Sequence, residues 1–350
     1  MRTGLGRVCV GVLMAALVLS GCATAATQPV APEASPVVEA SVPAPEEPLE
    51  ICVTFDKMGA YREGNKYYLD QAAAELGVTI DFYVADEDAQ KQSAQVDTCI
   101  AKGVDGIIVN PWDIQAVLQD IDRAHEAGII IGTMGQYPAR DDTTDFLYTA
   151  NCYADGSMLG EWLVENAGDD PIKLVNLQGS LSHDCGVLRD KGLKEAIAGH
   201  SNIEIVMDCP TEWRPEPALA CMENALQAFP DMNAVYAATD GLLPPVFSAL
   251  EAAGRLKPVG DPDHVIVMSI DGDPQGCAAV RDRFMDAGIA AGENPNSGRQ
   301  AIEAIIKINA TGERLPDNER IIQNEGYLYT PDNLDDVQDL VWGCVIGSQQ

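Results

Sequence analysis

Three polar runs place carboxylates where they could do chemistry. Asn110-Pro111-Trp112-Asp113, Thr239-Asp240-Gly241 and Asp271-Gly272-Asp273-Pro274 each follow a short apolar run, at 105–109, 234–238 and 265–270. The Ile-Ile-Val of 107–109 is apolar on both faces, as a strand covered by helices on both sides must be. A carboxylate or amide fixed at such a strand end can hydrogen-bond a small ligand. In open parallel sheets, ligands sit just beyond the carboxyl ends of the strands. A fourth run, Ser180-Leu181-Ser182-His183-Asp184-Cys185, sets a His two residues from a Cys. The two make a nucleophilic pair only if their side chains meet in space, and a disulfide at Cys185 would abolish it. The chain has no nucleophile elbow, no P-loop and no G-x-G-x-x-G. No two of its ten Cys have C-x-x-C spacing and there are only four His, so neither a metal nor a cofactor is expected. These residues suit reversible binding of a polar molecule better than catalysis.

The elements that must position them follow a regular rhythm. Strands are expected at 49–54, 78–84, 105–109, 129–133 and 146–149, with helices at 61–76, 88–102 and 114–127 between them. Asp113 is expected to cap the third helix. The pattern restarts after Asn151, with strands at 172–177, 203–207, 234–238, 265–270, 289–291 and 321–327. Helices fall at 155–166, 186–198, 217–228, 242–253, 275–283 and 297–310. Strands alternating with helices of this length predict βαβ units and parallel sheets, and right-handed crossovers put helices on both faces. Two such lobes, with their strand ends facing each other, would enclose a cleft.

Composition bounds what the chain meets. Lys and Arg number 22 against 54 Asp and Glu, a net charge of −32, which repels nucleic acid and anionic membrane surfaces. Residues 1–21 have the form of a secretion signal: Arg2 and Arg7, then the apolar run 8–19. Leu19-Ser20-Gly21-Cys22 resembles a bacterial lipobox, which implies cleavage before Cys22 and lipidation of its thiol. An ordinary cut within 23–26 is the alternative. Residues 22–48, rich in Ala, Pro, Val and Glu, read as an extended, disordered linker. An even count of eight further Cys in an exported chain favours disulfides. Eight allow 105 connectivities; the expected pairs are Cys52–Cys99, Cys152–Cys185, Cys209–Cys221 and Cys277–Cys344.

Residues 49 to 330 resemble a type I periplasmic binding protein of the ribose/galactose class, the substrate-binding component of ABC importers. The resemblance rests on Asp105-Gly106-Ile107-Ile108-Val109-Asn110-Pro111, Ala127-Gly128-Ile129, Arg189-Asp190-Lys191-Gly192, Phe229-Pro230-Asp231-Met232-Asn233-Ala234-Val235, Asp240-Gly241 and Ile270-Asp271-Gly272-Asp273-Pro274, in that order. It implies two doubly wound parallel-sheet lobes, 49–150 plus 294–322 and 151–293 plus 323–345, joined by a three-segment hinge. It also implies a monomer that hands a monosaccharide or related polyol to a permease, on the outer face of the membrane and held there by lipid alone. The resemblance aligns Asp271 and Arg189 with the family's sugar-binding Asp and Arg, and Trp213 with a stacking aromatic. Tyr61 would be the first-lobe aromatic, Thr239 and Asp240 would stand at a strand end, and Glu293 would stand at a lobe crossing where related proteins carry an amide. Departures are visible. Gly135-Gln136 stands where sugar binders have Asp-Arg, and the loop from Asp56 to Arg62 lacks the usual Asn-Pro and tandem aromatics. The acidic set Asp56, Asp240, Asp271 and Glu293 would also suit a cationic or amino-bearing ligand. Two further readings share the fold. A repressor would need a DNA-binding helix-turn-helix where this chain has its signal; a sensory protein would dock on a membrane receptor instead of an importer.

Overall fold

The computed structural model describes Pro45 and residues 48–347 except Asp141, without the side chains of Glu293 and Pro295. The expected signal, Cys22 and nearly all of the linker lie outside the described residues.

The first lobe opens with β1 (Glu50–Phe55), α1 (Ala60–Leu76), β2 (Thr79–Val84), α2 (Ala89–Lys102) and β3 (Gly106–Val109). It continues through α3 (Val117–Glu126), β4 (Ile130–Met134) and β5 (Leu147–Ala150). The second lobe runs through α4 (Cys152–Ala167), β6 (Ile172–Gln178), α5 (Asp184–Ile197), β7 (Ile203–Pro210) and α6 (Pro215–Ala228). It adds β8 (Ala234–Ala237), α7 (Leu243–Ala252), β9 (Ile266–Asp271), α8 (Pro274–Arg281) and β10 (Ala287–Ala290). The chain returns as α9 (Glu293–Thr311), α10 (Asp317–Arg320), β11 (Ile321–Asn324), β12 (Tyr327–Tyr329), α11 (Leu334–Val337) and α12 (Trp342–Gly347).

Two six-stranded sheets result, ordered β11-β5-β4-β3-β1-β2 and β12-β10-β9-β8-β6-β7. Every pairing is parallel except β10 with β12. This is the two-lobed α/β architecture with doubly wound, parallel-dominated sheets. In the first lobe, Leu69 of α1 and Ile302 and Ile305 of α9 cover one sheet face, while Val96 of α2 and Ile121 of α3 cover the other. In the second, α4 and α5 cover one face and α6, α7 and α8 the other. Helices on both faces explain why the strands are apolar without alternation.

Local differences have physical causes. The single strand expected at 321–327 is two strands in different sheets, broken by Glu325 and Gly326, so the third crossing follows Asn324 rather than Ile322. Periodicity could not reveal this, because both halves are apolar enough for either sheet. The three crossings pack together. Asn151 N–H donates to the Asn324 carbonyl at 2.9 Å, and Asn151 Nδ2 to Glu325 Oε1 at 2.8 Å. A Cβ at Gly292 would stand 2.1 Å from the Glu325 carbonyl. Asp113 does accept backbone bonds, from Gln115 and Ala116 at 2.8 and 3.0 Å, but a turn intervenes before α3 begins at Val117. The Cys pairs are Cys52–Cys99, Cys152–Cys185, Cys209–Cys221 and Cys277–Cys344, the first within one lobe and the rest within the other.

Candidate functional site

A cavity of about 400 Å³ lies between the lobes, where the strand ends of both sheets meet. Pockets of this size take small molecules. Each lobe lines it with an arginine clamped to an aspartate.

On the first lobe, Asp56 ends β1 and is buried. Arg62, six residues on and in the first turns of α1, reaches back to it through Nε at 2.9 Å and Nη2 at 3.3 Å. Arg62 Nη1 bonds Asn65 Oδ1 at 2.9 Å, and Asn65 in turn donates to Asn294 at 2.6 Å, beside the second crossing. The forked guanidinium is thereby fixed in plane. Gln136 follows β4 and is buried, with its Oε1 lacking any hydrogen-bond partner.

On the second lobe, Arg189 of α5 is buried. Its Nη2 lies 2.9 Å from Asp271 Oδ1 and 3.7 Å from Asp155 Oδ2, and Nη1 donates to the Ala238 carbonyl at 2.7 Å. Burial alone would lower its pKa; Asp271 and Asp155 outweigh that and hold it above the ordinary value. Its Nε lacks a partner. Close helix packing sets its height. A Cβ at Gly156 of α4 would stand 2.0 Å from the Arg189 carbonyl, and one at Gly192 of α5 would stand 2.2 Å from that of Tyr153.

Asp271 closes β9 at φ +128°, a region that disfavours any side chain. Three contacts hold it there: Arg189, Thr239 Oγ1 donating to Oδ2 at 2.5 Å, and the buried Trp342 indole donating to its carbonyl at 2.6 Å. Trp342 also meets the ring edge of Tyr61 at 6.0 Å between centroids and fills the space above Gly64, so it touches both lobes. Tyr61 lines the cavity and packs at once. Trp213 lies flat over Gly179, where a Cβ would come within 2.1 Å of the ring.

Of the nine residues expected at the site, Asp56, Tyr61, Gln136, Arg189, Trp213, Thr239 and Asp271 line the cavity. Asp240 does not. It is fully buried behind the wall, where Oδ2 accepts the Asp273 N–H at 2.9 Å. Burial, then Asp273 and Asp271, push its pKa well above the carboxylate range. The strand-end position is shared with Asp271, but a 3-10 turn at 240–242 folds Asp240 inward. The side chain of Glu293 lies outside what is described. Asn110, which also ends a buried strand, is structural: its Nδ2 donates to the Met134 carbonyl at 2.5 Å and ties β3 to β4.

The lining also includes Lys57, Arg62, His183 and Asp273, which are not among the residues expected at the site: the sequence offers His183 only as a possible partner of Cys185, and Asp273 only as part of a polar strand-end run. Asp273 caps α8 through Gln275 and Gly276 N–H at 2.7 and 2.9 Å. Burial pushes its pKa up to about 6, although the Gly276 bond opposes this. The Asp-Gly-Asp-Pro run was a usable signal for that cap. His183 cannot pair with a nucleophile, since Cys185 is bonded to Cys152. Among the described residues, no group of three His, Cys, Asp or Glu could hold a metal, and no helix is long and apolar enough to cross a membrane.

Comparison with known proteins agrees with this geometry. The chain is 26% identical over 253 residues to the ribose import binding protein of Salmonella typhimurium, covering 72% of this chain and 78% of the relative. It is 26% identical over 290 residues to a galactofuranose-binding protein of Escherichia coli, covering 81% and 88%. The crystal structure of a galactofuranose binding protein superposes with a TM-score of 0.73 at 24% identity, over 84% of this chain and 100% of that one, which shows the shared fold. Residues 51–313 match the family model described as "Periplasmic binding protein domain", and the chain belongs to that family.

Proposed function

We propose that this protein captures a small, neutral, polyhydroxylated ligand, a monosaccharide or related polyol, between its lobes and delivers it to an ABC importer. One observation carries the reading. Each lobe lines the cavity with a residue that holds a buried polar atom without a partner, the acceptor Gln136 Oε1 on one side and the donor Arg189 Nε on the other. Buried polar groups left unpaired are costly, and a hydroxyl, which donates and accepts, satisfies both. Trp213 and Tyr61 offer the apolar faces that the C–H surface of a sugar ring meets.

Charge argues for neutrality. The lining holds Asp56, Asp271 and Asp273 against Lys57, Arg62 and Arg189, three of each sign. Asp56 and Asp271 are already engaged by the two arginines. A cationic ligand would meet little unbalanced negative charge. The relatives' names, ribose import and galactofuranose binding, support the same class. Closure then follows from differential contacts, because the ligand touches both walls only when the lobes meet. The importer would read that state. Nothing in the site calls for catalysis. The extracytoplasmic location, the tether through Cys22 and the monomeric state belong to the same proposal.

Thermal unfolding in the presence of neutral pentoses, hexoses, inositols, aminosugars and basic amino acids tests it. A ligand at about 100 times its Kd adds about 2.7 kcal/mol of stability. Stabilisation by a neutral sugar or polyol is expected; stabilisation by cationic compounds alone refutes the assignment. Loss of labelled palmitate with Cys22→Ser checks the tether.

A further inference from the structure

The cleft wall contains an imidazole whose neutral tautomer is set by its neighbour. His183 Nδ1 lies 3.1 Å from Trp213 Nε1. An indole nitrogen only donates, so Nδ1 must accept, and the ring is neutral with its proton on Nε2. The bond restrains a side chain that needs restraint. Glu212 and Trp213 both sit at positive φ, 53° and 59°, a conformation that is unfavourable for a residue with a side chain. Glu212 is pinned by Ser180 Oγ at 2.5 Å, and Trp213 by Gly179 beneath it and His183 at its edge. On its other side, His183 meets Trp112 of the first lobe, ring centroids 6.2 Å apart and planes at 89°. His183 therefore touches both lobes and the indole between them.

The charges facing this imidazole come from three segments; the one that carries Trp112 adds none. They are Asp56 and Lys57 from the loop after β1, Asp184 beside it, and Glu212 next to Trp213. Burial lowers its pKa below the ordinary value and outweighs the three carboxylates. At neutral pH the accepting form is the populated one.

We propose that neutral His183 is the positioning residue for Trp213, and that a proton taken up at Nδ1 releases the indole from the cleft wall, so that ligand held at neutral pH is let go in acid. The affinity half of this rests on the ligand-binding reading above. The indole half does not. One proton per site sets the limit at about tenfold in affinity per pH unit below the pKa.

The test has two arms on the full chain. In the first, without ligand, the Trp213 indole N–H resonance of 15N-labelled protein is followed from pH 8 to pH 5, assigned by its absence in Trp213→Phe. It should move in one titration in the wild type and stay still in His183→Gln, whose amide oxygen can accept the same N–H without titrating. In the second, calorimetry with D-ribose, D-allose and myo-inositol compares pH 7.5 with pH 5. Wild-type affinity should be weaker at pH 5 by more than twofold, and that of His183→Gln should change less than twofold. A Trp213 resonance that is static in the wild type, or that titrates equally in His183→Gln, overturns the proposal. So does a wild-type affinity that is flat across the range. Should none of the three compounds bind at either pH, the sugar reading loses its support, while the resonance still decides whether His183 holds Trp213.

Discussion

Gly156→Ala sets two rules against each other. Gly156 lies inside α4, where alanine is the better helix former by about 1 kcal/mol. Propensity alone therefore predicts a more stable protein. Packing predicts the reverse. The added carbon would stand 2.0 Å from the Arg189 carbonyl oxygen, and carbon–oxygen contacts in proteins rarely close below about 3.3 Å. The backbone atoms of two helices cannot step aside as a side chain can, so α4 and α5 must part by about 1 Å. Overpacking of this kind costs about 1–3 kcal/mol, which leaves a net loss of up to about 2 kcal/mol after the propensity gain. Arg189 moves with its helix. A 1 Å shift takes its 2.9 Å contact with Asp271 beyond hydrogen-bond reach. Ligand affinity should then fall at least about tenfold, or 1.4 kcal/mol. Urea unfolding and calorimetry measure the two effects. Gly160→Ala is the comparison: its Cβ would stand 2.6 Å from the Ala196 Cβ and 3.0 Å from the Leu193 carbonyl oxygen, a milder crowding of the same two helices one turn from Gly156, so both stability and affinity should fall less than in Gly156→Ala. A Gly156→Ala protein that is more stable than the wild type and binds as well would refute the reasoning.

Four other outcomes are expected. Asp271→Ala leaves Arg189 with Asp155 at 3.7 Å as its nearest carboxylate; breaking a buried pair from one side costs about 3–5 kcal/mol, and chemical denaturation should find a loss near the lower end. Trp342→Phe keeps a ring above Gly64 but removes the N–H that holds the Asp271 carbonyl; about 0.5–1.5 kcal/mol should be lost, with unchanged stability the contrary result. Replacing both Cys152 and Cys185 by Ser should cost about 2–4 kcal/mol and weaken ligand binding, since the bond anchors the segment that carries His183. His264 lies 2.8 Å from Asp286 and 2.6 Å from the Lys257 carbonyl. Burial lowers its pKa, but the Asp286 bond and charge prevail and raise it above the ordinary value. Its contribution is full below the unfolded pKa of about 6.5 and is lost as pH rises through the folded one, so the stability advantage over His264→Gln should shrink between pH 6 and pH 9.

Much of the architecture was legible because it rests on strands taking turns with helices, an order that a sequence displays directly. The Ile107-Ile108-Val109 strand and its neighbours could be placed by their apolar runs alone. The split of residues 321–327 was not legible, because membership of one sheet or the other is decided by the Glu325–Gly326 turn against Asn151 and Gly292. At the site, Asp271 could be found by its strand-end position. Asp240 held an equivalent position and was misplaced, since the direction of a side chain after a strand depends on the turn that follows. Arg62 escaped, and His183 was read only beside Cys185, for another reason. Their roles are defined by partners distant in space, and only the fold reveals which arginine reaches Asp56 and which imidazole faces Trp213.

The connectivity of the cystines bears on how the chain matures. Each bond joins a cysteine to the next one along the chain, at separations of 47, 33, 12 and 67 residues. A polypeptide threaded through a membrane amino end first exposes these eight thiols one by one. With Cys9 removed in the signal and Cys22 blocked by lipid, as proposed, every second thiol to emerge meets a single free predecessor. Among 105 arrangements, this one is that favoured by order of arrival, so if the chain is exported as proposed, slow reshuffling need not delay it. The Cys52–Cys99 bond gains a further meaning from this timing. It can close while α9 and β11, which complete the first lobe, are still on the far side of the membrane. The bond then serves as a covalent placeholder, keeping β1 against α2 until the rest of the lobe arrives.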